Sequence, residues 1–373
     1  MKNAVRASYR LAVEPSQLDA RVEALRYEQT VELPPAAVTD PFVRDEILPS
    51  VAGVAEDPRG GFRVTVAYPE LATALDPAQL LNVLFGNSSM HADVELVAVT
   101  LTPALESRLG GPRLGAAGLR ALAGGAGRAL TCTALKPMGL SSKDLAALCA
   151  RFARGGIDVI KDDHGLADHA TAPFEERVTL CQAAVEEEVA RSGRRILYAP
   201  NLVGTPGAIR TRLEFARHRG VRAVLVAPML VGLPLLAELA SASEGIAILA
   251  HPAFAGAQRI AFDALLGTLF RAYGADASIF PHAGGRFGLD LDTCRRLVGE
   301  LRAPRDGLLA TLPVPAGGMS VERVRELVAF YGTDCMLLVG GSLYVAGADL
   351  DRRIREFVDA VARASKGPGR GDA

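Results

Sequence analysis

From Ala129 onward the chain repeats one pattern eight times: a short apolar run, then an amphipathic stretch. The apolar runs fall at 130–135, 157–160, 196–199, 223–227, 247–250, 277–280, 308–312 and 335–339. Continuous apolar runs of this length read as parallel strands buried on both faces. A helical stretch follows each, the last at 349–364. Eight strand–helix units in about 235 residues match a (β/α)8 TIM barrel, an α/β fold. A doubly wound open sheet is the alternative. It would more often carry GxGxxG after its first strand, and none is present there.

The region before the barrel reads as a small α+β domain. Residues 7–13 and 62–68 alternate apolar and polar as half-buried strands do, and 93–101 supplies a third strand. Helices are expected from Gln17 to Thr30 and after Asp76-Pro77, stopping at Gly86-Asn87. Strand, helix, strand, helix, strand implies an open sheet with helices on one side. The Gly/Ala-rich stretch at 112–128 reads as the connection to the barrel. The expected division is an N-terminal domain at 1–122, a barrel at 123–365 and a disordered tail at 366–373.

Barrels of this type carry chemistry at the C-terminal ends of their strands. The second strand ends in Lys161-Asp162-Asp163-His164, and charges placed there are costly to bury unless paired or bound to metal. Only five lysines occur among 41 basic residues, so arginine is the default cation. Arginine stays protonated, whereas a desolvated lysine gives up its proton, which marks Lys161 as chosen for chemistry. An ion pair with Asp162 or Asp163 on the sheet rim is the plainer alternative. The other strand ends add Lys136, His251, His282, and the glycines of Gly317-Gly318 and Gly340-Gly341-Ser342. Three of six histidines and both barrel-strand lysines thus gather at one face, which turns the balance toward a catalytic site.

Glycine-rich loops after strands seven and eight are the usual phosphate grip of a barrel. Gly317, Gly318, Gly340 and Gly341 would supply amides and Ser342 a hydroxyl; tight turns are the alternative use of these glycines. Lys161, Asp163 and His164 could hold a divalent cation, magnesium suiting an oxygen-rich set that includes a CO2-derived carbamate on Lys161. His164 could equally be a supporting donor or a base. Lys136 would steady an enolate or merely balance Asp162 or Asp163. His251 and His282 are each open to a role as phosphate donor, proton shuttle or hydrogen-bonded strand-end residue.

Composition narrows the rest. Hydrophobic residues make up 49% and charged residues 22%, ordinary for a globular enzyme. Net charge of -1 offers no field for nucleic acid or an anionic membrane. Five dispersed cysteines without CxxC disfavour a disulfide framework or metal knuckle and suit a reducing cytoplasm. Neither a signal peptide nor a membrane span is expected.

Taken together, EQTVELP (28–34), LLNVLFGN (80–87), GPRLGAAGLR (111–120), LKPMGLS (135–141), GGIDVIKDD (155–163), LPVPAGGM (312–319) and VGGS (339–342) form a specific pattern. The chain resembles the ribulose-bisphosphate carboxylase large-chain family, and within it the non-carboxylating, form IV RuBisCO-like proteins. The resemblance implies a ferredoxin-like N-terminal domain before the barrel, and an antiparallel homodimer whose sites borrow N-domain residues. Glu28 and Asn87 match the segments that cross to the partner. Lys161 matches the carbamylated lysine, Asp163 a magnesium ligand and Lys136 the first active-site lysine. His251 and His282 match the two strand-end histidines, and the glycine loops the phosphate site.

The departures matter as much. His164 stands where the carboxylase pattern has an acidic ligand, and Met138-Gly139 where it has the second lysine of KPK. Pro252 replaces an arginine, and Arg286-Phe287-Gly288-Leu289 replaces the segment with the lid lysine. Carbon fixation on a bisphosphate is therefore not expected. A metal-stabilised enolate on a monophosphorylated keto substrate remains. The KDDH form with KPMGLS resembles proteins acting on 3-oxo-isoapionate 4-phosphate. That implies a magnesium-dependent decarboxylase, with a transcarboxylase/hydrolase on the same substrate as alternative. An enolase or isomerase of methylthio-sugar phosphates is the second alternative, although those enzymes usually keep the acid at the His164 position. An inactive metabolite-binding scaffold is the non-enzymatic one.

Overall fold

The computed structural model describes residues 3–125 and 127–366. Beyond Lys366, the tail expected at 366–373 lies outside the described residues. Strands β1 (Ala4–Leu11), β2 (Ser50–Glu56), β3 (Phe62–Pro69) and β4 (Val94–Thr100) form an antiparallel sheet in the order β2-β3-β1-β4. Alternate residues Val5, Ala7, Tyr9 and Leu11 are buried on one face. They join Val22 and Leu25 of α1 (Leu18–Glu28) and Leu80, Val83 and Leu84 of α2 (Pro77–Phe85) in one core. Tyr9 ties the layers together, its hydroxyl donating to the Leu84 carbonyl at 2.6 Å and bonding Tyr68 at 2.8 Å. Asp76 caps α2 by accepting from the amides of Ala78 and Gln79, with Pro77 in the first turn.

Strand β2 is an addition to the sequence reading. Its residues from Val51 to Glu56 are exposed, so no buried face imposes an alternation that could be read. The stretch at 112–128 also differs from expectation. It contains helix α4 (Gly115–Ala123), which follows the short α3 (Pro103–Leu109). Leu119 and Ala123 of α4 enter the same apolar cluster as Leu130, Val159, Leu225 and Leu312, which lines the barrel interior. The Asp276 carboxylate anchors α4 at the N-terminal end of the strands by accepting from the amides of Leu114 and Gly115. Gly115 has φ +60°, and a Cβ there would lie 2.9 Å from the Ala310 carbonyl oxygen.

The barrel strands are β5 (Leu130–Leu135), β6 (Val159–Asp162), β7 (Leu197–Ala199) continued past Pro200 by β8 (Asn201–Leu202), β9 (Ala223–Val226), β10 (Ala247–Ala250), β11 (Ala277–Pro281), β12 (Leu312–Ala316) and β13 (Met336–Leu338). All pairings among them are parallel, in the orders β13-β5-β6-β7 and β12-β11-β10-β9-β8. The eight strand positions match the expected barrel. Strand seven is displaced from the expected 308–312 by four residues. Prolines read as strand breakers, yet Pro313 and Pro315 lie inside β12. The Leu312 amide and the Ala316 carbonyl bond to the β11 chain, so both prolines face β13. No ladder joins β12 to β13, and the missing N–H groups therefore leave no bond unmade. Among the described residues, no helix is long and apolar enough to cross a membrane.

Strand β6 begins two residues later than expected and runs through Asp162. Its alternation decides the site: Val159 faces the lumen, Ile160 the helix layer, Lys161 the lumen and Asp162 the helix layer. Asp162 is fully buried and held by Arg177 of α5 (Phe174–Ser192) at 3.1 Å, the Tyr198 hydroxyl at 2.8 Å and the Asn201 amide at 3.1 Å. Arg177→Met would leave that carboxylate uncompensated and is expected to cost about 3–5 kcal/mol of stability. Urea unfolding checks this; a loss near zero would show that the pair does not hold the strand end.

Candidate active site

The C-terminal strand ends open into a cavity of about 880 Å3. Lys136, Lys161, Asp163, His164 and His251 line it, together with Gly317, Gly318, Gly340, Gly341 and Ser342. The structure thus brings together ten residues expected from the sequence. Lys136 continues the inward phase of Leu130, Cys132 and Ala134 on β5, and Tyr344 pins this strand end. The Tyr344 hydroxyl accepts from the Lys136 amide at 3.0 Å and donates to the Ala134 carbonyl at 2.8 Å.

Lys161 is only 2% exposed, and its ammonium donates to the Asp162 carbonyl at 3.0 Å. Burial lowers its pKa, with Cys132 and Asp163 acting in the opposite direction. The uncharged amine, the form that reacts with CO2, is thereby favoured. Asp163 receives the Lys136 ammonium at 2.6 Å and lies 3.4 Å from His164 Nδ1. Burial opposes its ionisation, but hydrogen bonds from His164 and Lys136 hold the carboxyl well below the usual carboxylate range.

The His164 and His251 rings stack 4.2 Å apart at 13°. Burial, reinforced by Lys161, holds His251 well below the usual imidazole range. Its Nδ1 accepts from the Ala253 amide at 3.0 Å, which assigns the proton of the neutral ring to Nε2.

His282, expected with these residues, does not line the cavity. Its ring is 1% exposed beneath the loops that follow β11 and β12, enclosed by Phe330 and Tyr331, with Nδ1 2.5 Å from the Tyr331 hydroxyl. Ser342 does line it, but its hydroxyl donates to the Met319 carbonyl at 2.8 Å and so stitches the two glycine loops. Glu28 and Asn87 lie together in the N-terminal domain, away from this chain's cavity. The Asn87 amide donates to Glu28 at 3.0 Å and to Glu32 at 2.8 Å. Sequence reasoning did not single out Phe254, Phe262 or Glu32, and it treated Arg286 and Phe287 only as a departure. Phe254 and Phe287 are exposed apolar residues on the cavity wall, and loop positions carry no periodicity that would have marked them.

Among the described residues, no group of three or more His, Cys, Asp or Glu side chains is placed to hold a metal. Asp163 and His164 are two such donors, and a carbamate on Lys161 would complete a third at the same spot. Buried, donating to a backbone carbonyl and shifted by desolvation toward the free amine, Lys161 fits that modification. Magnesium binding should therefore depend on CO2. Titration calorimetry is expected to show Mg2+ binding with bicarbonate present, and none without it or in Lys161→Ala; equal binding in all three would rule out the carbamate as ligand.

The architecture is that of a (β/α)8-barrel protein with its site at the C-terminal strand ends. Residues 115–273 match the family described as ribulose bisphosphate carboxylase large chain, catalytic domain. The chain is 48% identical over 362 residues to ribulose bisphosphate carboxylase-like protein 1 of Rhodopseudomonas palustris, covering 97% of this chain and 98% of that protein. It is 44% identical over 371 residues to the 5-methylthioribulose-1-phosphate isomerase of Rhodospirillum rubrum, covering 99% of each. A crystal structure of a Rubisco-like protein from Rhodopseudomonas palustris superposes with a TM-score of 0.90 at 42% identity, covering both chains completely. The octameric Rubisco of Pyrococcus horikoshii shares the fold at 22% identity, with a TM-score of 0.92 over 98% of this chain and 91% of that one. The chain belongs to the ribulose-bisphosphate carboxylase large-chain family, among its RuBisCO-like proteins.

Proposed function

We propose that this protein isomerises a keto-sugar monophosphate with an apolar end, of the 5-methylthioribulose 1-phosphate type, through an enediolate. The observation that carries this reading is the cavity's polarity. A lysine–aspartate centre shares the cavity with two glycine loops and with the apolar side chains of Pro252, Phe254 and Phe262. Near-full-length similarity to a 5-methylthioribulose-1-phosphate isomerase supports it. Isomerisation takes a proton from one carbon beside the carbonyl and returns it to the neighbouring one, and a carbamate oxygen on Lys161 would accept and return it. The Lys136 ammonium faces the developing oxyanion, while His251, neutral and protonated on Nε2, donates a hydrogen bond to it. Magnesium, when held by the Lys161 carbamate, Asp163 and His164, would polarise the substrate carbonyl.

Loss of CO2 from 3-oxo-isoapionate 4-phosphate, or the transcarboxylase/hydrolase reaction on it, would use the same oxyanion stabilisation. The isomerase relative and the aromatic wall favour proton transfer over both. The test is NMR in D2O with Mg2+ and bicarbonate. 5-Methylthioribulose 1-phosphate is expected to give a deuterated isomer, and Lys161→Ala to give none. CO2 release from 3-oxo-isoapionate 4-phosphate without isomerisation would restore the decarboxylase, and a two-carbon acid the transcarboxylase/hydrolase. Turnover of neither substrate would leave the scaffold.

The same reading includes a homodimer in which the partner's Glu28 and Asn87 complete each site. Two carboxylates converging on one amide, outside this chain's own cavity, support that use. Inactive Asn87→Ala and inactive Lys161→Ala chains, refolded together, are expected to regain about a quarter of wild-type activity. That is the share of intact sites in a statistical mixture. No recovery would mean that each chain completes its own site.

A further inference from the structure

We propose that Arg286 is the phosphate-recognition cation of this site, supplied by the loop after β11. This rests on the phosphate reading of the glycine loops and adds the charge they lack. Backbone amides alone offer a doubly charged phosphate oriented dipoles but no counter-charge.

Among the described residues, the lysines and arginines that line the cavity are Lys136, Lys161 and Arg286. Lys136 is engaged by Asp163 at 2.6 Å, and Lys161 lies buried beneath the centre with its ammonium on a backbone carbonyl. Arg286 has no carboxylate partner among the described residues. Its guanidinium carbon rests 5.2 Å from the centroid of the Phe287 ring. Stacking on an aromatic face orients the planar fork and leaves its N–H groups free to bind an anion in two-pronged fashion.

The backbone brings that fork to the grip. The Arg286 amide donates to the Gly317 carbonyl at 3.1 Å. Gly318 has φ +92°, and a Cβ there would stand 3.2 Å from both Cγ and the amide nitrogen of Arg286. Glycine at 318 therefore serves two ends, the turn itself and the passage of the arginine stem across it. The base of the loop is fixed from beneath, where Arg323 donates to the carbonyls of Ala283 and Gly284 at 3.4 and 3.3 Å while paired with Glu326. The cation is thus carried on an anchored segment that ends against the glycine loop.

The test measures inorganic phosphate binding by calorimetry and KM for the phosphorylated substrate, in wild type, Arg286→Ala, Arg286→Gln and Arg286→Lys. Loss of one charge-assisted contact predicts roughly 10- to 100-fold weaker phosphate binding in the alanine and glutamine variants. KM should rise by a similar factor with kcat little changed, and lysine should restore part of the loss. Unaltered melting temperatures would confirm that the exposed loop variants fold. Phosphate binding in wild type that persists undiminished in both neutral variants would overturn this role and leave the glycine grip standing. Absence of phosphate binding in wild type itself would overturn both together.

Discussion

The buried contact between Asp162 and Arg177 sets the phase of β6, and the placement of Lys161 in the cavity depends on that phase. Two charged residues adjacent in a strand point to opposite faces, so a lumen-facing Lys161 requires Asp162 to enter the helix layer. An ionised carboxylate there would cost several kcal/mol without a partner. Arg177, the Tyr198 hydroxyl and the Asn201 amide surround it, each from a different segment packed on the strand. Slipping β6 by one residue would exchange the two faces, placing Lys161 against Arg177 and Asp162 in the lumen. The ion pair thus acts as a register pin whose worth lies in direction as much as in stability.

On the other face, the same burial does chemical work. Lys161 sits deep enough that desolvation weakens its hold on a proton, and its amine donates to a neutral carbonyl. Asp163 stays ionised because Lys136 and His164 stand against it. One lysine therefore tends toward an amine while the other stands against Asp163 at 2.6 Å, two roles for one residue type set by surroundings. Arginine in either place could not make that division, since its guanidinium remains charged.

Much of this was legible in the sequence because it is written in period-two alternation and in residue choice. The eight apolar runs marked the barrel, and the rarity of lysine marked Lys136 and Lys161. What escaped notice lacks a period or depends on distant partners. Strand β2 has no buried face, and β12 hides behind two prolines whose missing N–H groups matter only if a neighbour needs them. Helix α4 looked like a linker because glycine and alanine dominate it; only the barrel end that receives Leu119 and Ala123 explains their size. His282 had the right strand position, but the aromatic pair Phe330-Tyr331, far along the chain, encloses its ring.

The departures from the carboxylase pattern form one coherent change once placed in space. Pro252 stands where the pattern has an arginine and is followed by Phe254 on the cavity wall, so one side of the site has exchanged charge for apolar surface. Phe254 has φ +69°, a conformation unfavourable for a side chain of its size. A second phosphate on that side would meet aromatic rings in place of a guanidinium and lose its counter-charge. On the function proposed above, a ligand with one charged end and one apolar end would find both glycine-loop amides and aromatic rings in this cavity. On that proposed function, selectivity against a bisphosphate would follow from desolvation, without any group needed to repel it.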